Sequence, residues 1–591
     1  MKQFFKIFFA SMLGFIIGIV LLVFIFFVVV SAAVSSMSNK EITVEKSSLL
    51  HITLKAPLEE RSSSNPLESF DFSNFSSNKQ PGLNDIVSNI DKAANDDNIK
   101  GIYIDVSSVQ GGIASMEEIR NAILRFKKKS GKFVYAWSES YSQGAYYLAS
   151  AANKIYLNPE GSIELKGLNA EVMFYKGLLE KLEIEPQIIR HGKFKSAVEP
   201  FILDKMSNEN RAQVATFVDA IWNHLTLKIA ESRGLPHANI KLIADSLLAQ
   251  NADDALRLKL IDKLAYKDEF IADVNTKLGV SKTEKLALVS IGKYTHSNDS
   301  KKKKFTTDRI AVIYANGSIN SGEGDENNIG STGLSKTIRD ARNDDKVKAI
   351  VLRVNSPGGD ALASEVIWRE VKLASAVKPT IVSMGDVAAS GGYYISCAAN
   401  KIVAQPNTIT GSIGVFGLLF NGEKMLKNKL GITTDRYKTG VYTDMGSFTR
   451  PITPAETNII QKDVNRIYDT FTKRVSEGRK IAQADVDSIG QGRVWSGVDA
   501  LSLRLVDTLG GMNDAIAIAA RMAKLDNYRV KEMPEVKEPI QKIMEEMSEE
   551  VHVRFMKQQL TPEQFKLIQA SQTILKLKGV QSIMMIDLPI E

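Results

Sequence analysis

The chain has 591 residues, of which 44% are hydrophobic and 24% charged, and its formal net charge is +7. This length exceeds what one hydrophobic core usually supports, so we expect two or more domains. The small net charge, with no basic stripe interleaved with aromatic residues, argues against a nucleic-acid partner. The one cysteine, Cys397, excludes an intramolecular disulfide and an all-thiolate metal site.

The N-terminus has the composition of a membrane anchor. No charged residue occurs between Ile7 and Ser38, and Phe8–Val30 is long enough to cross a ~30 Å hydrocarbon layer as a helix. A cleaved signal peptide is the alternative, because residues 31–33 are small, but its apolar region normally spans only about 7 to 15 residues. Lys2 and Lys6 precede the span, so the positive-inside rule predicts a cytoplasmic N-terminus and an extracytoplasmic remainder.

The remainder contains an internal duplication. Two β-branched runs, residues 99–106 and 347–354, are each followed by a glycine pair. Three spaced matches share one offset, since 358 − 111, 393 − 146 and 399 − 152 all give 247; they pair Gly111 with Gly358, Tyr146 with Tyr393 and Ala152 with Ala399. A constant offset across spaced motifs indicates two copies of one structural unit.

Each copy alternates strands with helices, which predicts α/β domains with mainly parallel pairing. In the second copy the predicted elements are strand Ile350–Val354, helix Ala361–Ala376, strand Thr380–Met384, a helix from about Ser390 and strand Lys401–Ala404.

The polar run Ser297–Thr306 is typical of a linker between the two domains. We therefore predict a membrane anchor at residues 1–40, a first domain at 41–300, a second at 301–530 and a C-terminal extension at 531–591. Within the extension, residues 535–591 are typical of a helical tail that ends in a short apolar strand.

A candidate nucleophile lies in the second copy. In the segment Asp386-Val-Ala-Ala-Ser390-Gly-Gly, the serine follows a predicted strand and opens a helix. There the N–H of Gly391 can stabilise an oxyanion, and Gly358 or Gly359 in the preceding Ser-Pro-Gly-Gly turn can supply a second N–H. The structural alternatives are a serine helix cap and a simple Pro-Gly turn.

Lysine is the candidate base, because none of the six histidines lies in a metal or triad signature. A free lysine has a pKa of about 10.4. This pKa must fall by roughly three units before the amine can act as a base at neutral pH. Apolar neighbours surround Lys195, and Lys193 lies on the same side if the segment is extended. A solvated basic strand end is the alternative. For the nearby His191 we expect a surface position.

The duplication links these candidates. Subtracting 247 from 390 places Gln143 where the second copy has Ser390, and matching residues 190–192 to 438–440 with one residue of slip sets Thr443 opposite Lys195. Each copy thus lacks the group that the other keeps. This complementary loss predicts one active site shared across the interface between the copies.

Four segments carry a family resemblance: residues 192–201, Gly-Lys-Phe-Lys-Ser-Ala-Val-Glu-Pro-Phe; 356–359, Ser-Pro-Gly-Gly; 389–394, Ala-Ser-Gly-Gly-Tyr-Tyr; and 410–415, Thr-Gly-Ser-Ile-Gly-Val. With the anchor and the duplication, they resemble the signal peptide peptidase A (protease IV) family in its long, double-domain form. The resemblance implies two ClpP/crotonase-like domains, hydrolysis of apolar peptides such as released signal peptides by a Ser-Lys dyad, and a homotetramer. It implies no cofactor and no metal.

The family's nucleophile corresponds to Ser390 and its base to Lys195. The hydroxyl that orients the lysine amine corresponds to Ser412, and the oxyanion donors to Gly391 with either Gly358 or Gly359. The family setting implies a bacterial inner-membrane protein whose catalytic part is periplasmic. For Asp386, which the resemblance gives no secure catalytic role, we expect a turn or helix-start role.

Two other functions fit parts of the sequence. A crotonase-like acyl-thioester enzyme would share the fold, but acyl-CoA is cytoplasmic and the anchor places the domains outside. A non-catalytic envelope scaffold is disfavoured by the complementary loss of serine and lysine. The sequence leaves open the physiological substrate, the cleavage preference, and whether the site forms within or between protomers.

Overall fold

The computed structural model describes residues 2–38, 42–62, 70–71, 76–77, 81–297, 306–535 and 580–584. Most of the predicted linker and of the C-terminal extension lies outside these residues. The predicted domain limits therefore stay predictions.

The chain begins with the long helix α1, Lys2–Ser38. Within it, Gln3–Leu22 has a mean hydropathy of 2.4 and is the one candidate membrane span among the described residues. Large apolar side chains on this helix, including Phe15 and Leu22, are exposed. Because they do not pack on the domains, a hydrocarbon layer is the environment that suits them.

The first half combines nine strands and ten helices in the described residues. Its strands are β1 Ser48–Ile52, β2 Phe70–Asp71, β3 Ser76–Ser77, β4 Ile99–Ile104, β5 Phe133–Ser138, β6 Lys154–Leu157, β7 Glu185–His191, β8 Lys263–Leu264 and β9 Leu288–Ser290. Its helices are α2 Leu83–Ala93, α3 Ile113–Ser130, α4 Gln143–Ala149, α5 Lys176–Leu182, α6 Glu199–Ile202, α7 Asn208–Arg233, α8 His237–Asp245, α9 Ala252–Arg257, α10 Lys267–Leu278 and α11 Ile291–Tyr294, with a 3-10 turn at Ser196–Val198. Six of the strands form a parallel sheet in the order β8-β6-β5-β4-β1-β9.

The second half repeats this plan. Its strands are β10 Arg309–Asn316, β11 Ser318–Asn320, β12 Asn328–Gly330, β13 Val347–Ser356, β14 Gly358–Asp360, β15 Thr380–Ala389, β16 Lys401–Ala404, β17 Ile409–Gly411, β18 Val415–Asn421, β19 Val494–Ser496, β20 Thr508–Leu509 and β21 Arg529–Met533. Its helices are α12 Ser331–Asn343, α13 Ala361–Ser375, α14 Gly391–Ser396, α15 Pro454–Arg479, α16 Gln483–Ile489, α17 Gly497–Ser502 and α18 Met512–Met522, with a π-helical segment at Met425–Lys429. The main sheet has the order β19-β17-β15-β13-β10-β21, and β16 and β20 extend it beside β15.

The predicted duplication is visible in the elements. β6 and β16 are offset by 247 residues at both ends, since 401 − 154 and 404 − 157 give the same value. Alternate residues of β13 face two different hydrophobic clusters: Ile350 and Leu352 belong to one, Ala349 and Val351 to the other. Because both faces of the sheet are covered, its central strands are apolar along nearly their whole length.

A third sheet joins the halves. Its order is β12-β11-β14-β22-β18-β7, where β22 is the C-terminal strand Val580–Ile583. β7 of the first half pairs antiparallel with β18 of the second, from His191 opposite Val415 to Glu185 opposite Asn421. The segment that follows β7 is thereby bound to the second half, which is how Lys195 approaches Ser390.

Candidate active site

The candidate nucleophile lies where a buried strand turns into a helix. β15 ends at Ala389 and α14 begins at Gly391, so Ser390 forms the turn between them. Its backbone has φ 55° and ψ −114°, a sparsely populated conformation that costs about 1–3 kcal/mol for a residue with a side chain. The N–H of Ser390 donates to the carbonyl of Gly411 at 2.8 Å and holds the turn in place.

Gly391 brings this turn against the Ser-Pro-Gly-Gly segment. A Cβ atom at Gly391 would lie 3.1 Å from the Cα of Gly358 and 3.1 Å from the N of Gly359. Glycine permits such an approach because it has no side chain. The predicted oxyanion residues therefore meet beside Ser390. The N–H of Gly358 also donates to the Ser356 hydroxyl at 3.2 Å, within the same turn.

Lys195 is held by contacts between the two halves. After β7 the chain turns at Gly192, where φ is +98°. The N–H of Phe194 then donates to the carbonyl of Gln491 in the second half at 2.9 Å. Gly492, with φ +84°, touches the lysine backbone, since a Cβ there would lie 2.7 Å from the Cα of Lys195. A loop of the second half thus fixes the backbone of a first-half residue.

The lysine amine reaches both candidate hydroxyls. Lys195 Nζ lies 2.9 Å from Ser390 Oγ and 3.2 Å from Ser412 Oγ, and both distances are compatible with hydrogen bonds. Ser412 also has a positive φ of 50°, and its N–H donates to the carbonyl of Arg493 at 2.7 Å. The three residues Lys195, Ser390 and Ser412 are 1%, 0% and 2% exposed. The two halves therefore meet at a closed, fully buried cluster.

Burial lowers the pKa of the Lys195 amine to about 7, because the desolvated interior disfavours its charged form. The surroundings are apolar: Nζ lies 5.9 Å from the centroid of the Phe416 ring. Gly414 adjoins the lysine stem, since a Cβ there would lie 3.2 Å from Lys195 Cδ. At neutral pH a large fraction of this amine is neutral and able to accept a proton.

Lys193 does not contribute to this site. An extended segment would have placed Lys193 on the same side as Lys195, but the chain turns at residues 192–194. Lys193 is exposed while Lys195 is buried. The low pKa of Lys195 has burial as its cause, and the segment is not extended in the way that would bring Lys193 beside the amine.

The other candidate groups lie elsewhere. His191 stacks on Tyr468 with ring centroids 3.9 Å apart and hydrogen-bonds to Asn465 at 2.9 Å. Burial raises the pKa of the Cys397 thiol to about 12, which leaves too little thiolate for nucleophilic chemistry. Among the described residues, no group of three or more His, Cys, Asp and Glu side chains is arranged to hold a metal ion.

The matching position of the first half is filled by an amide. Gln143 is buried; its Oε1 accepts from the N–H groups of Lys166 and Gly167, each at 3.1 Å. Its Nε2 donates to the carbonyl of Gly167 at 3.1 Å. Thr443, matched in sequence to Lys195, is exposed and donates its hydroxyl to the Gly440 carbonyl at 3.0 Å. Neither residue carries proton-transfer chemistry in its own half.

Sequence reasoning missed two parts of the site. One is the loop Gly490-Gln-Gly492, whose only local signal is a pair of glycines before β19. The other is the position of the C-terminal strand β22 between β14 and β18; the sequence predicts a short apolar strand at the end of the tail, but not its partners. Both depend on contacts between residues far apart in sequence, which local patterns do not reveal.

Comparison with protein families identifies two related segments. The family model described as peptidase family S49 matches residues 126–281 and 372–526, one segment in each half. This match confirms the predicted duplication of a peptidase domain. Two such domains in a mixed α/β structure, preceded by one apolar helix, also agree with the predicted fold class.

Curated relatives cover most of the chain. Protease 4 of Salmonella typhi is 41% identical over 461 residues, which are 76% of this chain and 74% of the relative. The chloroplastic serine protease SPPA of Arabidopsis thaliana is 36% identical over 496 residues, 82% of this chain and 70% of the relative.

Shorter matches include the putative signal peptide peptidase SppA of Enterococcus faecium, which is 37% identical over 196 residues, 33% of this chain and 56% of that relative. Among solved structures, ClpP1 from Listeria monocytogenes is 17% identical with a TM-score of 0.23, over 34% of this chain and 92% of its own. From the two matched segments and the relatives that span most of its length, the chain belongs to peptidase family S49 and is a serine protease.

Proposed function

We propose that Ser390 and Lys195 are the catalytic nucleophile and general base of this protease. The neutral Lys195 amine takes the Ser390 hydroxyl proton as Oγ forms a bond to the peptide carbonyl carbon. The oxyanion that results is stabilised by the N–H of Gly391 with that of Gly358 or Gly359. The lysinium then gives its proton to the leaving amine as the peptide bond breaks. A water, deprotonated by the same lysine, hydrolyses the acyl-enzyme and regenerates Ser390.

The contact between Lys195 and Ser390 carries this proposal. Lys195 Nζ and Ser390 Oγ lie 2.9 Å apart, although the two residues belong to different halves of the chain. Ser412 Oγ accepts a further hydrogen bond from Lys195 Nζ at 3.2 Å, which directs an amine hydrogen away from Ser390. Burial supplies the lowered pKa that a lysine base needs at neutral pH.

The substrates we propose are extended, apolar peptides such as released signal peptides. The related protein from Enterococcus faecium has the name putative signal peptide peptidase, which supports this class. The helix α1 anchors the protein in a membrane. We propose that this is the bacterial inner membrane and that the catalytic halves lie in the periplasm. Lys2 and Lys6 before the span support this orientation through the positive-inside rule. On the basis of the family resemblance, we also propose that the protein assembles as a homotetramer.

A fluorophosphonate probe tests the catalytic pair in the full-length protein. We expect covalent labelling that peptide mapping assigns to Ser390, and a labelling rate lower by about 10²-fold or more in Lys195→Met, because the general base is lost. Lys193→Ala is the matched control, since this lysine is two residues away and exposed; it should label at the wild-type rate. Undiminished labelling of Lys195→Met, or peptide cleavage retained in Ser390→Ala, would overturn the assignment.

A further inference from the structure

A cavity of about 500 Å³ lies at the edge of the first-half sheet where β4, β5 and β6 begin. The described residues that line it include no aspartate or glutamate but four lysines: Lys100, Lys132, Lys154 and Lys277. Within the described part of the chain, the first-half lysines that form ion pairs are others: Lys166, Lys176, Lys228, Lys263 and Lys267. The cavity therefore concentrates positive charge that the protein itself does not neutralise.

Lys132 belongs to the framework of this cavity. It is half-buried, and its Nζ donates to the carbonyls of Ala93 and Asp96 at 2.9 and 2.6 Å. Two acids lie near this amine: Asp96, which is buried and accepts from the Tyr294 hydroxyl at 2.8 Å, and the exposed Asp97. The other three lysines have exposed side chains, so their ammonium groups are available to a ligand.

The second half carries a neutralised form of the same arrangement. Lys100 and Lys348 are each the second residue of the matched strands β4 and β13. Lys348 Nζ lies 3.9 Å from a carboxylate oxygen of Asp308, the residue directly before β10. Ser47 occupies the same place before β1 and lines the cavity. The first half thus has a hydroxyl where the second half has a carboxylate.

A second matched pair of lysines differs in the same way. Lys154 and Lys401 are the first residues of β6 and β16. Lys401 Nζ lies 3.2 Å from Asp507, which also accepts from the following N–H at 2.8 Å. Asp262 accepts from the N–H that follows Lys154 at 2.7 Å, but its ion pair is with Arg233. One framework is therefore neutralised in the second half and left positively charged in the first.

The charged cavity lies in the half that directly follows the membrane anchor. α1 ends at Ser38, and Ser47 lines the cavity. The residues from 39 to 47 span at most about 32 Å, so the cavity stays within reach of the head-group layer. Phe133 and Leu278, both half-buried, add an apolar wall beside the lysines. Cationic and apolar groups together suit a ligand that is charged at one end and apolar at the other.

We propose that this cavity binds the phosphate group of an anionic phospholipid, such as phosphatidylglycerol, in the membrane that holds α1. Lysine ammonium groups form charge-assisted hydrogen bonds with phosphate oxygens, and several lysines near a membrane surface attract anionic lipids together. The bound lipid holds the first half against the membrane surface. The matched lysines of the second half have carboxylate partners and do not form such a site. The proposal does not depend on the catalytic assignment.

Lysine acetylation of the full-length protein in nanodiscs tests the site. Mass spectrometry measures the acetylation rate of each lysine in phosphatidylglycerol and in phosphatidylcholine nanodiscs. We expect Lys100 and Lys154 to react at least about fivefold more slowly in phosphatidylglycerol, the change expected if lipid fills four of five cavities. Lys348 and Lys401 are the internal controls and should react at the same rate in both. A third sample, phosphatidylcholine with excess inorganic phosphate, should match phosphatidylcholine alone.

Charge removal tests the affinity. Native mass spectrometry of the full-length protein in detergent micelles measures the Kd of added phosphatidylglycerol. Each lysine near an anionic surface strengthens binding about fivefold, so the double variant Lys100→Gln with Lys154→Gln should bind about 25-fold more weakly. The matched control, Lys348→Gln with Lys401→Gln, removes the same charge at the duplicated positions and should bind like the wild type. Thermal unfolding of both double variants checks that the domains remain folded.

Several outcomes would overturn the proposal. Equal acetylation of Lys100 and Lys154 in the two kinds of nanodisc would show that no lipid covers them, and equal slowing of Lys348 and Lys401 would show a general surface effect. Protection by inorganic phosphate as strong as that by phosphatidylglycerol would assign the cavity to free phosphate instead of lipid. Equal weakening of lipid binding in the two double variants would show attraction by net charge alone.

Discussion

Two serines of the candidate active site, Ser390 and Ser412, have positive φ angles of 55° and 50°. Such conformations are unfavourable for residues with a side chain, and they persist where the surrounding structure imposes them. Here the backbone N–H groups of both serines donate to carbonyls, those of Gly411 and Arg493. Strain and burial at the residue scale thus place two hydroxyls within reach of one amine whose pKa is lowered.

The pH dependence of acylation follows from the Lys195 pKa. Burial lowers this pKa to about 7, and the amine accepts a proton only when neutral. The rate of fluorophosphonate labelling of Ser390 should therefore rise with pH, pass its midpoint near pH 7 and level off in the range where lysine in water is still charged. Labelling that is quenched after fixed times, at pH values from 5 to 9, measures this profile.

Lys195→Met provides the control for this prediction. Without the amine, labelling should be slow and should lack the step near pH 7. A wild-type profile that keeps rising toward pH 10, as for a solvated lysine, would contradict the proposed role of burial.

At the scale of elements, the site depends on close backbone contact between loops. β7 delivers Lys195 to the second half, and the loop before β19 receives it. Gly492 is the point of contact: its N–H donates to the carbonyl of Ile413 at 2.7 Å while its Cα adjoins the Lys195 backbone. The position of Lys195 is therefore set by a glycine, a residue that has no side chain.

Gly492→Ala should displace Lys195 from Ser390. The added Cβ would lie 2.7 Å from Lys195 Cα, and backbone atoms must move to relieve this contact. We expect acylation to fall by about 10-fold or more, because small displacements of catalytic groups have large effects on rate.

Gly322→Ala is the matched control, because Gly322 has a similar φ of +93° and a Cβ there would meet nothing within 4 Å. Both variants bear the left-handed backbone cost of about 1 kcal/mol, and only the first has the collision. Equal acylation rates in the two variants would show that Gly492 does not position the lysine.

The elements differ in how well sequence predicts them. β16 has the predicted bounds Lys401–Ala404, because a buried parallel strand is a compact apolar run. β15 continues to Ala389, five residues beyond the predicted end at Met384. Its extension pairs with β17 and carries the chain to Ser390. The offset of 247 residues aligns β6 with β16. The turn that exposes Lys193 and the position of β22 between β14 and β18 depend on contacts that no local pattern encodes.

At the scale of the whole molecule, a buried ionic cluster joins the halves. Arg353 on β13 of the second half is fully buried and contacts Glu60 at 2.8 Å and Glu118 at 2.7 Å, both from the first half. Nearby, Asp386 accepts hydrogen bonds from the N–H and hydroxyl of Ser115 at 2.9 and 2.5 Å. These contacts lie on the strands that lead to the Ser-Pro-Gly-Gly segment and to Ser390, so docking of the halves and assembly of the candidate site are linked.

Removal of Arg353 tests this link. Arg353→Met leaves Glu60 and Glu118 buried without their cation, and breaking a buried pair in this way typically costs about 3–5 kcal/mol. We expect the Tm of the full-length protein to fall by on the order of 10 °C at pH 8. The difference in Tm between Arg353→Met and the wild type should become smaller at lower pH. Burial already raises the pKa of Glu60, and loss of Arg353 raises it further, so protonation stabilises the folded variant as the pH falls through that pKa.

Differential scanning fluorimetry at pH 8 and pH 5.5 measures both effects. Arg339→Met is the control, because Arg339 also pairs with a glutamate, Glu370, but is itself half exposed, and Arg342 shares the same partner. Its Tm should stay close to that of the wild type at both pH values, since Glu370 keeps a cation and the ion pair of an exposed arginine contributes little. Two outcomes would contradict a buried charge as the link between the halves. One is a Tm of Arg353→Met that falls as little as that of Arg339→Met, and the other is a fall of the same size at pH 8 and pH 5.5.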